Sequence, residues 1–353
     1  MKKLLLILLI IPILSTSQVI NKTLYFDGLN REYIIYVPST YDGTQNVPLL
    51  FSFHGGSGYA SDHMQMINMN VIADTAGFIA VYPQGAIDYD GADPGTTPST
   101  SWLHKAPTTH NDVNFIAAII DTLAYEYLVD ENRVYACGYS EGGIFSYELG
   151  CRMSSKIAAI ASVSGSMLTD SFRSDYGFGI CSPNHPTAVL LIPGTDDMGY
   201  HSMYNGFQPY YLSVNDIVNY WSNYNNTDLI SIITPLADIN TGDGSTVEKY
   251  EWKNGTNCVS VVEMKVNGGN HDWPGSFGNM DINSSAEIWD FVSKYDINGL
   301  IDCNLNSIIT NQNISEKKVL KIIDLLGREI IGKNQILFYL YEDGKVDKKV
   351  ILN

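Results

Sequence analysis

The chain has 353 residues, of which 45% are hydrophobic, enough for one large domain with a sizeable core and a smaller appendage. With 38 Asp and Glu against 21 Lys and Arg, its formal charge is −17. This excludes a nucleic-acid partner and disfavours an anionic membrane surface, because both need clustered cations, whereas a neutral polymer or a small neutral ester is not repelled.

The first element is MKKLLLILLIIPILSTS, residues 1–17. Two lysines precede an unbroken apolar run from Leu4 to Leu14, and Ser15, Thr16 and Ser17 follow. That order is the one of a secretory signal peptide, with cleavage near Ser17. The run is too short for a resident membrane span, and no polar residue interrupts it as an amphipathic helix would require. The reading is a protein exported to the cell surface or beyond, without stable membrane insertion.

Strand and helix patterns then alternate. REYIIYVP alternates apolar and polar residues, while VPLLFSFHG, FIAVYPQG, RVYACGYS, IAAIASVSG, AVLLIPGTDD and VVEMKVNGGNHD are continuous apolar runs, as in strands buried on both faces. Between them Val113, Ile116, Ile120, Leu123 and Tyr127 fall on one helical face, and so do Ile288, Val292 and Tyr295. The alternation predicts an α/β protein around a mostly parallel sheet flanked by helices. Functional groups of such sheets collect at the carboxyl ends of the strands, where this chain has His54, Ser140, Ser164-Gly165, Asp196-Asp197 and His271.

Gly138-Tyr139-Ser140-Glu141-Gly142 fits G-x-S-x-G between a strand and a helix, the context in which a serine is held on a strained turn as a nucleophile. Gly138 and Gly142 remove side chains that would clash there. The helix N-terminus offers the Glu141 N–H to an oxyanion, and the glycines of HGGSG offer a second donor, for which Gly56 is the first choice and Ser57 the next. His54 reads as a brace for that loop. A serine needs a base, and the base needs an orienting acid, in the chain order Ser, acid, His. Asp196 and Asp197 both end a later strand, and His271, the last of seven histidines, ends the next. Gly268 and Gly269 let its loop fold back, and Trp273-Pro274 can wall a pocket. A Gly-Thr-Asp-Asp loop is also a common turn, and a single His is often structural. The correct order at three strand ends outweighs both readings.

Of five cysteines, Cys137 reads as a buried free thiol, Cys151 and Cys181 could pair, and Cys258 and Cys303 are left over; unpaired buried cysteines remain an alternative. No spacing suggests a metal site. Near residue 300 the chain turns polar and linker-like. Residues 317–353 hold eight Lys and Arg against five Asp and Glu, so the rest of the chain carries all of the negative excess. This reversal, with alternating strand patterns around a Glu342-Asp343-Gly344 turn, suggests a small separate β unit or extra edge strands of the main domain.

Residues 20–298 resemble the secreted α/β-hydrolase esterases grouped as feruloyl esterases and polyhydroxybutyrate-depolymerase-like enzymes. The resemblance rests on LLFSFHGGSG, NDVNFIAAIIDTLAYEYLVDENRVYACGYSEGG, IPGTDD and GGNHDWPG. It implies an α/β-hydrolase fold over residues 18–299, Ser140 as nucleophile, His271 as base, and Asp197 rather than Asp196 as acid. Glu141 and Gly56 would form the oxyanion hole. Pro193 departs from the family, which commonly has His there. No cofactor is implied. The implied substrate is a feruloyl or acetyl ester on plant or algal polysaccharide, with Trp102, Tyr139 and Trp273 as candidate stacking surfaces, each equally able to pack in the core. The Tyr-rich stretch from Tyr200 to Tyr224 is expected to shape the acyl or alcohol pocket. Polyester depolymerisation is the main alternative. A peptidase would need a capping domain, for which no segment is long enough, and a non-catalytic carbohydrate binder would lack a triad member. After a linker at 300–316, residues 317–353 resemble C-terminal sorting domains of the Bacteroidetes type IX secretion system, chiefly through Asp324-Leu325-Leu326-Gly327-Arg328 and the lysine-rich last strand. The secretion machinery is thus an expected partner.

Overall fold

A computed structural model of the protein describes residues 16–88, 99–102, 111–175, 178–303, 319–323, 335–341 and 346–351. The chain divides into two compact units between Ile301 and Asp302.

The first unit is built on a ten-stranded sheet. Its strands are β1 (Gln18–Phe26), β2 (Leu29–Val37), β3 (Val47–Phe53), β4 (Ile79–Pro83), β7 (Val129–Tyr139), β8 (Ala159–Val163), β9 (Ala188–Ile192), β10 (Ile232–Pro235), β11 (Thr246–Trp252) and β12 (Val261–Asn267). A separate short ribbon pairs β5 (Ala86–Asp88) with β6 (Ser99–Ser101). The spatial order of the sheet is β1-β2-β4-β3-β7-β8-β9-β12-β11-β10. The block β4-β3-β7-β8-β9-β12 is parallel, and the outer strands on each side are antiparallel. The apolar runs account for this layout. Every residue of β4, β8 and β9 is buried, whereas β1 alternates exposed and half-buried residues at an edge.

Helices cover both faces. On one face α3 (Asp112–Glu126), α4 (Glu141–Arg152) and α6 (Val214–Asn225) pack with Phe51, Ala136 and Ile160; on the other, α1 (Ala60–Ile67), α2 (Met69–Ala76) and α7 (Ser284–Val292) pack with Leu50, Cys137 and Ala161. Side chains on one strand alternate between the two cores, as the pleat requires. A short α5 (Asp170–Asp175) follows β8. The N-caps are the expected polar residues: Asn111, Ser213 and Asn283 accept the N–H groups of Asn114, Asp216 and Ala286. All residues of α4 from Glu141 to Cys151 are buried. Its interior Glu148 is accommodated by Arg173, 2.6 Å away and also buried.

Two expected helical positions lie outside the helices. Tyr127 is the extended C-cap of α3, and Tyr295 begins β13 (Tyr295–Asp296), which pairs with β14 (Gly299–Leu300). Both rings still face the cores that the helices cover, so burial extends the apolar periodicity past the helical backbone. Cys151 and Cys181 form a disulfide, Cys137 is a buried thiol, and Cys258 and Cys303 are also disulfide-bonded.

In the second unit β15 (Val319–Ile323), β16 (Gln335–Tyr341) and β17 (Val346–Ile351) form an antiparallel three-stranded sheet in that order. The apolar leader to Ser15, most of the linker, the 324–328 motif and the 342–344 turn lie outside the described residues.

Candidate active site

Ser140 stands between the end of β7 and the start of α4 with φ 56° and ψ −120°. A non-glycine residue in such a conformation costs on the order of 1–3 kcal/mol and persists only where its surroundings enforce it. The glycines explain the enforcement. A Cβ on Gly138 would lie 2.3 Å from the Gly142 backbone, and one on Gly142 would lie 2.2 Å from the Phe53 carbonyl oxygen. The backbone of the turn is therefore wedged between its own helix and β3. The Ser140 N–H donates to the Val163 carbonyl at 2.9 Å, and its carbonyl accepts from Gly143 and Ile144. What remains for chemistry is the hydroxyl.

The HGGSG loop runs beside it. A Cβ on Gly55 would lie 3.2 Å from the Ser140 Cβ, and one on Gly56 would lie 2.5 Å from the Glu141 carboxylate carbon. Ser57 N–H donates to Thr100, and Gly58 N–H to Gly55, which fixes the loop. His54 Nε2 accepts the Gly85 N–H at 2.9 Å, so Nδ1 carries the proton and donates to the Gly55 carbonyl at 2.7 Å. Burial pushes its pKa down. His54 is thus a neutral brace, as the sequence suggested. Glu141 opens α4 directly after the serine, and Gly56 lies against the Glu141 carboxylate.

On the other side, Asp197 Oδ2 lies 2.7 Å from His271 Nδ1. Its Oδ1 accepts from the Gly199 N–H and the Ser202 hydroxyl, both at 2.8 Å. Asp196, by contrast, is exposed, and among the described residues its carboxylate accepts only the Thr195 hydroxyl. Burial pushes the Asp197 carboxyl up, but the hydrogen bonds from His271, Gly199 and Ser202, with the attraction of His271, outweigh it and hold the group below its ordinary value. The acid and histidine loops are tied together, since Thr195 N–H donates to Val266 and Asp196 N–H to Gly269. Tyr139 donates its hydroxyl to the His271 carbonyl at 2.7 Å and sets its ring 5.0 Å from the imidazole.

The serine hydroxyl itself meets a different histidine. Ser140 Oγ lies 3.0 Å from His201 Nε2, and among the described residues it makes no hydrogen bond to His271. The two imidazoles are perpendicular, with centroids 5.6 Å apart. Sequence reasoning missed His201 and Ser202 because the chain-order rule reads only one acid and one later histidine. The available signal was a histidine four residues after the acid, on the same loop.

Two expected substrate contacts are core residues. Trp102 has no exposed surface; its ring packs on Phe53 and Phe145, and its Nε1 donates to the His54 carbonyl. Trp273 is also buried, edge-on to His63, with Nε1 donating to Ser285. Both indoles are large apolar bodies whose single donor finds an internal partner, and this makes them core residues. Of the expected contacts, Tyr139 stays at the site. Tyr200, Phe207 and Tyr210 are exposed, the Phe207 ring touches both tyrosines, and Tyr200 packs on His201. Among the described residues no group of three or more His, Cys, Asp or Glu is arranged to hold a metal ion.

Residues 31–180 match the family model described as Esterase PHB depolymerase. The chain is 27% identical over 284 residues to a bifunctional acetylxylan esterase/xylanase of Neocallimastix patriciarum, covering 79% of this chain and 35% of that protein. It is 28% identical over 273 residues to feruloyl esterase B of Piromyces equi, covering 76% and 46%. The chain thus spans less than half the length of these two relatives. Among solved structures, an acetyl xylan esterase from Aspergillus awamori superposes with a TM-score of 0.52 at 13% identity, covering 77% of this chain and 98% of that one. An S-formylglutathione hydrolase from Agrobacterium tumefaciens gives 0.53 at 10%, covering 78% and 94%. The mostly parallel sheet and these likenesses show that the chain has the α/β-hydrolase fold.

Proposed function

We propose that this protein is a secreted serine carboxylic-ester hydrolase that removes feruloyl or acetyl groups from plant or algal polysaccharide. The observation that carries the reading is the Asp197–His271 pair at 2.7 Å, tied by the Tyr139 hydroxyl to the turn whose serine is held at positive φ. Ser140 is the nucleophile, His271 the base and Asp197 the group that fixes the imidazole tautomer and stabilises its cation. Ser140 attacks the ester carbonyl as its proton passes to His271, while the Glu141 and Gly56 N–H groups receive the oxyanion. His271 returns the proton to the leaving alcohol, and water repeats the attack on the acyl-enzyme. The O–H of Ser140 must turn toward His271 for this, and catalytic hydrogen bonds often tighten only around bound substrate.

The names of the relatives support an acetylated xylan or a feruloyl ester as substrate, and the negative charge of the chain is compatible with a neutral polysaccharide. The name of the matching family model favours a second reading, polyester depolymerisation. The leader up to Ser17 would direct export, and the C-terminal unit would serve as a sorting domain for the type IX machinery.

Feruloylated arabinoxylan, acetylated xylan and polyhydroxybutyrate, each incubated with the wild type and with Ser140→Ala, separate these readings. Ferulate or acetate should appear in a Ser140-dependent manner. Hydroxybutyrate alone would move the assignment to polyester, and equal release by Ser140→Ala would remove the nucleophile.

A further inference from the structure

The loop that carries the acid also carries His201 to the nucleophile. Its Nε2 is 3.0 Å from Ser140 Oγ. The His201 carbonyl is anchored by the Ser166 N–H at 3.0 Å, and its ring is set by Tyr200 at 4.8 Å and by His271 at 5.6 Å, both near-perpendicular. A hydroxyl has one proton and two acceptor lone pairs. If the proton of Ser140 goes to His271, the proposed reading on which this inference rests, then Oγ can only accept from His201, and Nε2 of His201 carries the hydrogen.

We propose that His201 is a second catalytic histidine, whose Nε2–H donates to Ser140 Oγ and stabilises the charge that gathers on that oxygen when it leaves the acyl carbon. In the deacylation half-reaction the water oxygen bonds to the acyl carbon as its proton passes to His271. On collapse the C–Oγ bond breaks, its electron pair stays on Oγ, and the proton on His271 moves to Oγ. His201 donates a hydrogen bond throughout and neither gains nor loses a proton. In acylation the free hydroxyl already lies within hydrogen-bond distance of His201, so reaching the transition state adds little, whereas deacylation starts from the ester oxygen of the acyl-enzyme, a weaker acceptor, and gains the full bond as Oγ departs. The residue therefore acts mainly on one half-reaction.

Stopped-flow hydrolysis of 4-nitrophenyl acetate tests this. His201→Phe keeps a ring against Tyr200 and removes the donor. It should slow deacylation about 10- to 100-fold, the usual weight of a hydrogen bond to a charged oxygen. The signature is a one-equivalent burst of nitrophenolate, with kcat and KM falling together and kcat/KM held within about threefold. His201→Gln restores an N–H donor and should recover most of the loss. Labelling by a fluorophosphonate, which needs only the first half-reaction, should still mark Ser140 in both variants. If the wild type is not labelled at Ser140, the nucleophile assignment itself fails. Where Ser140 is labelled but His201→Phe deacylates like the wild type, the role of His201 alone is overturned. A fall in kcat/KM as large as that in kcat, unrelieved by Gln, overturns it equally. Should His201→Phe not fold, His201→Ala carries the same expectations.

Discussion

The turn that carries Ser140 and the loop from Asp197 to Ser202 lie on either side of the same site and are held by different means. The turn is set by backbone collision. Gly138, Gly142 and Phe53 leave one path for the chain, and the pinned N–H and carbonyl of Ser140 follow from it. The acid loop is set by side-chain hydrogen bonds that converge on Asp197 and His271 from Gly199, Ser202 and Tyr139. Steric control tolerates no change of volume, whereas a polar network can lose one bond and keep its fold. Ser140 is thus placed by folding, and in the proposed mechanism its activation is tuned by a few exchangeable contacts.

The largest expected effect lies on the polar side. Asp197→Asn should lower kcat about 10⁴-fold with the melting temperature little changed, because the imidazole loses its tautomer partner. Asp196→Asn, at an exposed position, should stay within about twofold. Steady-state kinetics on 4-nitrophenyl acetate decide, and the reverse pattern would assign the acid to Asp196. The next contrast is between two glycines. Gly142→Ala drives a methyl into the Phe53 carbonyl and should cost on the order of 3 kcal/mol or more in denaturant melts. In Gly199→Ala the methyl meets the Ser202 hydroxyl at 2.5 Å, which can rotate away. This variant should melt within about 1 kcal/mol of the wild type and lose activity about tenfold as Asp197 loses a donor. Similar stability losses in both would erase the distinction between the two regions. Tyr139→Phe, which frees the His271 carbonyl, should cost about 1 kcal/mol and a few-fold in kcat.

The smallest effect is on acid stability. The Asp197 carboxyl is held below its ordinary value of 3.8. Its contribution to folding is therefore complete above that pH and is lost as pH falls through the lower folded-state value. Melting temperatures measured between about pH 2.5 and 6 should show the wild type declining on this limb more steeply than Asp197→Asn.

The same division explains what could be read in advance. The parallel strands announced themselves as apolar runs, and the serine turn was legible because its glycines are adjacent in sequence to what they make room for. Trp102 and Trp273 stayed open between stacking on substrate and packing in the core because composition gives an indole no direction, and their burial decides for packing. His201 escaped because its partner, Ser140, is 61 residues away, and only the fold brings the two together. Asp197 became distinguishable from Asp196 by geometry when its two oxygens were seen to be fully engaged.

The central claim is that His271, backed by Asp197, activates Ser140. The most direct measurement is the rate of fluorophosphonate labelling at Ser140, located by peptide mass spectrometry, in the wild type, His271→Ala and His201→Phe. The account predicts a fall of about 10³-fold or more in His271→Ala and little change in His201→Phe. Labelling that survives the loss of His271 and collapses with His201→Phe would contradict it and make His201 the base.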